Sequence, residues 1–373
     1  MKKSIGQDEN IWTSEWDDLT PVSEIQMWDY FGLRQWISKF TPRYGKTVEA
    51  GCGLGRYVLY FSRMGIDIEG VDFSGPIVDI MNRWSQENSF DAKFIKGNVL
   101  NLDYPDNSVS GYISLGVVEH FIEGPQKALE EAYRILRPGG VAIITTPNKS
   151  FNILFRDAKS AVKSIIKKII LYKKQDTPFF QYWYRPAKLS RYVRDAGFDV
   201  RTGRGADLQF VFCEIGNYTD RLIKEGTFGY RFSNKYENSF PASFGAQSLT
   251  ISVKRAPEMH CFICGGLKAG EESLKTYAVP VCSDCEKTEL SQYYKITYPT
   301  KYGGPYKINP SILASESRIC DFCGTGYNTD PIFEDYGFSR NVCNDCLKEN
   351  KINIKLCCES IKPVWRKRNA GLF

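Results

Sequence analysis

Val48-Glu49-Ala50-Gly51-Cys52-Gly53-Leu54-Gly55-Arg56 is the stretch on which the reading of this chain turns. Lys46 to Ala50 has the character of a short buried strand, and Arg56 to Met64 continues with helical spacing. The glycines at 51, 53 and 55 therefore form a tight strand-to-helix turn. Glycine is needed where a turn calls for positive φ, or where a Cβ would hold a bulky ligand off the backbone. The helix beyond offers N-terminal N–H groups to a ligand carboxylate. The second strand, Asp67 to Val71, ends in Asp72, twenty-one residues past Gly51. A carboxylate there suits a ribose diol. Such turns also occur in purely structural settings; the acid at this spacing is what favours a ligand. The Gly-x-Gly-x-Gly spacing departs from the Gly-x-Gly-x-x-Gly of dinucleotide folds, and no P-loop is nearby, so a nucleoside without a pyrophosphate is implied.

With these residues in view, the chain resembles class I S-adenosylmethionine-dependent methyltransferases, especially the type 11 group that includes quinone-biosynthesis enzymes. The matching residues are Val48 to Gly55, Gly70-Val71-Asp72-Phe73-Ser74, Gly97-Asn98-Val99, Ser114 to His120, and Leu136-Arg137-Pro138-Gly139-Gly140 running into Val141 to Thr145. They cover about 46 to 256, in the family's order. The resemblance implies S-adenosyl-L-methionine as cofactor, held by Glu49, Gly51, Cys52, Gly53, Gly55, Asp72, Phe73, Asn98, Val99 and Leu115. The family usually has Asp at the position of Asn98, which accepts a hydrogen bond from the adenine amino group. Asn98 can still accept through its carbonyl oxygen.

Between Lys46 and Thr146 short apolar strands at 46–50, 67–72, 92–96, 110–115 and 141–146 alternate with helical stretches. That pattern predicts an α/β fold with a doubly wound, mostly parallel sheet, seven-stranded and Rossmann-like as the resemblance implies. Right-handed crossovers bring the glycine turn, Asp72, Asn98 and Leu115 to the carboxyl ends of neighbouring strands, where such sheets bind ligands. Residues 1–45 read as an arm and a cap helix with Ile25, Trp28, Phe31 and Trp36 at helical spacing, aromatics that can equally well pack on the sheet. Within the 46–256 domain, 151–185 reads as a basic lid helix and 206–247 as an aromatic insertion; Pro186 to Gly197 gives a further helix, with strands at about 198–202 and 248–253. From Phe151 to Lys174 seven basic residues face one acid, Asp157. A basic amphipathic helix suits a lid with a solvated face, or peripheral contact with an anionic membrane.

After Pro257 the character changes. Of the twelve cysteines, eight fall in four Cys-x-x-Cys pairs. Cys261 and Cys264 pair with Cys282 and Cys285 across 17 residues, and Cys320 and Cys323 with Cys343 and Cys346 across 19. The two units repeat at an offset of 59 residues, each opened by Cys-x-x-Cys-Gly and closed by Val-Cys-x-Asp-Cys. They predict two structural zinc ribbons at 257–290 and 317–350, joined by a linker at 291–316 and followed by a basic tail at 351–373. A glycine after the second cysteine lets backbone N–H groups point at sulfur. His260 reads as a neighbour rather than a ligand, and Cys52, Cys213, Cys357 and Cys358 as buried thiols.

The formal charge of +6 falls by about four once two Zn(Cys)4 centres are included. Residues 257–373 carry 15 basic against 14 acidic side chains, so the ribbons lack the cationic face that nucleic acid requires. Paired thiolates, with no apolar run after Met1-Lys2-Lys3, lead us to expect a reducing, cytoplasmic setting.

A sulfonium methyl is already activated, so transfer needs mainly alignment and exclusion of water. An oxygen or acidic carbon acceptor benefits from a base, and His120 is the candidate, its ring alternatively bracing the next loop; Glu119 and Glu123 are weaker ones. Ser114-Leu115-Gly116-Val117-Val118 lacks the Pro-Pro-aromatic sequence that grips planar amines and the Pro-Cys or Thr-Cys pair that attacks pyrimidines. A small-molecule or lipid-like acceptor is therefore expected, with the ribbons docking a protein partner or stabilising a dimer. An RNA or protein methyltransferase, or a cofactor-binding scaffold without catalysis, is the alternative.

Overall fold

The computed structural model describes residues 33–63, 65–88, 90–149, 179–208 and 244–288, with residues 21 and 211 and short pieces between 291 and 341. The expected arm over 1–20, the basic helix over 151–174, nearly all of the aromatic insertion, the second ribbon's cysteines and the tail lie outside the described residues.

Seven strands form one sheet: β1 (Thr47–Ala50), β2 (Ile68–Asp72), β3 (Lys93–Lys96), β4 (Val109–Leu115), β5 (Leu136–Pro147), β6 (Asp199–Ala206) and β7 (Gln247–Val253), in the order β3-β2-β1-β4-β5-β7-β6. The first five pair in parallel, and β7 runs antiparallel between β5 and β6. This is the doubly wound, mostly parallel architecture expected. The short strands are buried along most of their length, which is why they read as apolar runs rather than as alternation.

Two strands are longer than periodicity indicates. β5 begins at Leu136 rather than Val141, because α4 (Gln126–Ile135) runs straight into it. The Arg-Pro-Gly-Gly stretch is absorbed as an irregularity opposite Val109 and Gly111. Gly139 N–H donates to Lys254 O at 2.8 Å, which ties this irregularity to the end of β7. β6 continues past 202 to Ala206, its small residues paired along β7.

Both faces are covered. One carries α1 (Leu33–Phe40), α2 (Arg56–Arg63) and α3 (Gly75–Glu87), whose apolar stripes meet Ile68, Ile113, Val141, Ile143, Ile251 and Val253. The other carries α4 and α5 (Pro186–Asp195) against Val48, Ala50, Val71, Ala142 and Ile144. Alternating strand residues divide between the two cores, as strand geometry requires. Trp36 is buried, stacked on Phe40 with centroids 6.1 Å apart and on the Arg204 guanidinium at 5.3 Å, so this aromatic serves the sheet's packing. Residues 179–185, expected at the end of the lid helix, are not helical; the next helix, α5, opens at Pro186 with Arg185 as its cap.

The first cysteine unit is small: β8 (Glu258–His260) pairs with β9 (Leu267–Gly270), and α6 (Ser273–Thr276) follows. Its apolar residues belong to the same core as α1–α3. Among the described residues no helix is long and apolar enough to cross a membrane.

Candidate cofactor cleft

The glycine turn is stitched to β2. Gly51 and Cys52 N–H both donate to Val71 O at 2.7 and 3.1 Å, and Gly55 N–H donates to Cys52 O at 2.8 Å. Gly51, Gly53 and Gly55 have φ of 74, 52 and 63°, values that side chains resist. A Cβ on Gly51 would lie 2.4 Å from Val117 Cγ2, and one on Gly55 would lie 2.2 Å from Phe94 Cε1. At those two positions glycine answers to positive φ, as the sequence allowed, and to the chain's own side chains, which the sequence did not indicate.

Glu49 is buried and its Oε2 accepts from Val58 N–H at 3.1 Å, capping the first turn of α2. One of the helix N-terminal donors expected to face a ligand is thus satisfied by the protein. Asp72 lies at the mouth of the turn: Oδ2 accepts from Gly53 N–H at 2.8 Å and Oδ1 from Ser74 N–H at 2.9 Å. Burial pushes its carboxyl up, against the backbone N–H groups of Ser74, Gly53 and Phe73, which favour the charged form. Each oxygen keeps further acceptor capacity for a diol. Ser74 caps α3 by accepting from Ile77 N–H at 3.4 Å.

The rest of the expected set lines the same carboxyl edge. Phe73 follows β2, half-buried, and Leu115 ends β4, half-buried beside Thr145 of β5. Gly97 N–H donates to Asp72 O at 2.8 Å, which holds the Asn98 turn next to β2. Asn98 is exposed, its Oδ1 already accepting from Leu100 N–H at 2.9 Å, while Val99 is buried. The Cys52 thiol is buried between Asp72 and Glu49; burial and those two carboxylates push it well up, so it stays protonated and inert.

Past β4 the chain turns at Gly116, φ 73°, into a 3-10 turn over Val118–His120. His120 is buried, with Nδ1 2.9 Å from Phe180 O and its ring edge-on to Phe180 at 5.1 Å. Burial pulls its pKa down, opposed by the carbonyls of Phe180 and Gly116. Glu119 is only 1 % exposed, its Oε1 4.0 Å from His120 Nε2 and its Oε2 without a hydrogen-bond partner among the described residues. Burial raises its carboxyl to about 8. Sequence reasoning ranked it below His120 on the unperturbed pKa of a histidine; the burial that raises Glu119 is set by the fold and could not be read from the pair.

A second feature it missed is the extended strap over 179–184. Tyr182 N–H donates to Glu119 O at 2.9 Å, Tyr184 N–H to Pro147 O at 3.1 Å, and Tyr182 Oη to Ile122 O at 2.8 Å. The strap crosses the ends of β4 and β5, with Phe179, Tyr182 and Tyr184 in a ladder of rings 4.6 and 5.8 Å apart. The only advance signal was the density of aromatic residues between a basic segment and Pro186.

Of the metal-ligand candidates, Cys261, Cys264, Cys282 and Cys285 come together, their sulfurs all within 4.8 Å of one another. Burial pushes the Cys261 thiol up, opposed by the backbone N–H groups of Cys264, Cys282 and Ile263, which point at its sulfur as expected of a knuckle. Gly265 N–H goes instead to Cys261 O at 2.8 Å. His260 directs Nδ1 to Gly265 O at 3.0 Å. Cys320, Cys323, Cys343 and Cys346 lie outside the described residues.

Comparison with known proteins places this cleft in context. The profile of the family described as "Methyltransferase domain" matches residues 48–144, from the glycine turn to β5. A "Probable S-adenosylmethionine-dependent methyltransferase" of Mycolicibacterium smegmatis is 26% identical over 159 residues, 42% of this chain and 53% of that protein. A "Ubiquinone biosynthesis O-methyltransferase" of Cupriavidus pinatubonensis is 25% identical over 197 residues, 51% of this chain and 74% of that one. A "Probable tRNA methyltransferase 9B" of Homo sapiens is 31% identical over 126 residues, 33% of this chain and 25% of that one. The chain thus spans about half the length of the first relative and a quarter of the third. Residues 48–144, carrying the glycine turn, Asp72 and the turn after β4, are a methyltransferase domain of that family.

Proposed function

We propose that the protein transfers the methyl group of S-adenosyl-L-methionine to a small-molecule or lipid-like acceptor. The observation that carries this reading is the coincidence of the family match over 48–144 with one carboxyl edge on which Gly53 N–H is bonded to Asp72. There Asp72 takes the ribose diol, Asn98 the adenine amino group, and Phe73, Val99 and Leu115 the faces of the base. The glycine turn, with Glu49 holding the helix behind it, takes the methionine portion.

When bound, S-adenosyl-L-methionine would supply an activated methyl group to the acceptor's lone pair and leave as its neutral thioether. The acceptor then loses its proton, and His120 is the base. Its Nδ1–H is committed to Phe180 O, so in the neutral ring held by burial Nε2 carries the lone pair. Glu119, uncharged at neutral pH, places no anion beside the ring to hold it protonated.

The small acceptor is supported by the relative named for ubiquinone O-methylation and by the absence of an amine-gripping Pro-Pro-aromatic sequence after β4. An RNA acceptor is the second reading, favoured by the higher identity to the relative named for tRNA methylation. We also propose that the paired cysteines hold zinc, at Cys261, Cys264, Cys282 and Cys285 and, by the repeat, at Cys320, Cys323, Cys343 and Cys346. Labelled cofactor supplied with a lipid extract, small aromatic hydroxyl compounds or RNA tests the assignment. Label in the organic extract supports the first reading and label in RNA the second. Calorimetry without heat from either the cofactor or its demethylated product overturns both.

A further inference from the structure

The first cysteine unit was expected to be a small module free to dock a partner, yet its apolar side is already used. Met259, Leu274, Val279 and Val281 are buried in one core with Val141, Ile143, Ile251 and Val253 of the sheet. Arg201 on β6, 2 % exposed, donates to Leu274 O and to Tyr277 O, the latter at 3.1 Å, while its Nη1 meets Asp199 at 2.7 Å. A Cβ on Gly139 would fall 2.6 Å from His260 O, so β5 and β8 touch backbone to backbone. Tyr294 closes the far side, donating to Lys39 O at 3.0 Å at the end of α1 with its ring 5.1 Å from Phe262.

The unit therefore supplies part of one layer of the sandwich, over the β5–β7 half of the sheet. Among the described residues its own secondary structure is a hairpin of three and four residues, a single helical turn and a 3-10 turn over Cys285–Lys287. Elements that short do not hold together in water. What converges inside them is four sulfurs within 4.8 Å of one another, a soft donor set that suits a closed four-coordinate zinc site and would link metal binding to folding.

We propose, resting on the zinc reading above, that metal at Cys261, Cys264, Cys282 and Cys285 fastens this layer to the sheet, so that metal occupancy sets whether the methyltransferase half stays folded. The module's docking partner is the chain's own β5–β7 face. Loss of the ion frees a hairpin that cannot hold its shape, uncovers Val141, Ile143, Ile251 and Val253, and leaves Arg201 buried without its carbonyl acceptors.

The test uses the full chain purified with zinc. A chromogenic chelator reports released metal, and hydrogen exchange is followed in peptides from residues 139–146 and 247–253. Exchange there should accelerate on the order of tenfold or more as metal leaves, and return when zinc is restored. Cys264→Ser, at the half-buried ligand, should produce the same acceleration without chelator and assigns it to this cluster rather than to the second. Released metal with unchanged exchange in both peptides, in wild type and variant, overturns the coupling. Protein purified with no bound metal, yet with slow exchange, overturns the zinc reading beneath it. Neither readout uses the methyl donor, so failure of the methyltransferase assignment is scored separately.

Discussion

The two halves of the sheet are finished by different means. Around β1–β3 the layer is made of helices with apolar stripes, and the site at the carboxyl edge is mostly backbone: three positive-φ glycines, a carbonyl that takes two N–H groups, and Asp72 spanning the turn. Around β5–β7 the same face is completed by a unit with almost no regular structure, held by four sulfurs and by the buried Arg201. A helix layer carries its own hydrogen bonds and tolerates single changes, whereas a layer assembled from a ligand cluster and one guanidinium concentrates its stability in few groups. Substitutions on the two sides should therefore differ in size and in what they disturb.

The largest effect is expected at Arg201. Arg201→Ala removes a buried donor shared by Leu274 O, Tyr277 O and Asp199, and breaking such a pair costs roughly 3–5 kcal/mol. Denaturant unfolding should show that loss, and zinc release to a chelator should quicken with it. An unaltered release rate would separate the two layers that the comparison joins. Gly55→Ala comes next on the glycine side, where positive φ and overlap with Phe94 together cost roughly 2–4 kcal/mol. Here zinc release should stay near wild type.

Asp72→Asn is milder for the fold. One carboxylate oxygen becomes an amide that faces a backbone N–H from Gly53 or Ser74, a mismatch of about 1–2 kcal/mol. The larger consequence is for the ligand: on the proposed reading, in which Asp72 takes the ribose diol, calorimetry should register cofactor affinity reduced about 10- to 100-fold as charge-assisted bonds are weakened. Affinity at the wild-type level would remove Asp72 from the cleft.

How much of this was legible follows from what each half is made of. Strand burial and glycine spacing are local properties, so the sheet, its mostly parallel order and the Asp72 edge could be read along the chain. The cysteine spacing likewise announced a four-sulfur cluster. What could not be read is long-range and geometric. Nothing in Val200-Arg201-Thr202 says that the arginine points inward to residues more than seventy positions away, and a Cys-x-x-Cys-Gly repeat does not say what its apolar neighbours cover. The glycines were placed correctly, but the stated reasons were incomplete: Val117 and Phe94, which fill the space beside Gly51 and Gly55, come from the turn after β4 and from β3. Residues 179–184 carry no hydrophobic period because the strap is fixed by backbone bonds to Glu119 O and Pro147 O, groups that every sequence has.

At neutral pH the smallest effect belongs to Glu119, and its size depends on pH. The carboxyl is raised by burial from an ordinary 4.5 to about 8, so between those values the native state keeps a proton that the unfolded chain has lost. Proton binding is then greater in the folded state, and stability must fall as pH rises through the window, the penalty for the buried anion being complete above about 8. Glu119→Gln has no proton to lose and nearly the same shape. Melting curves of the two proteins should run close together near pH 5 and diverge toward pH 9, with the glutamine variant the more stable there. The same substitution separates folding from chemistry at the edge of β4. If His120 takes the acceptor's proton while Glu119 remains uncharged, the variant keeps wild-type turnover near neutral pH and loses only the inhibition that ionisation of Glu119 brings at high pH. Parallel melting curves from pH 5 to 9 would place the carboxyl in contact with water or a cation, contrary to its burial among Gly116, His120 and the strap.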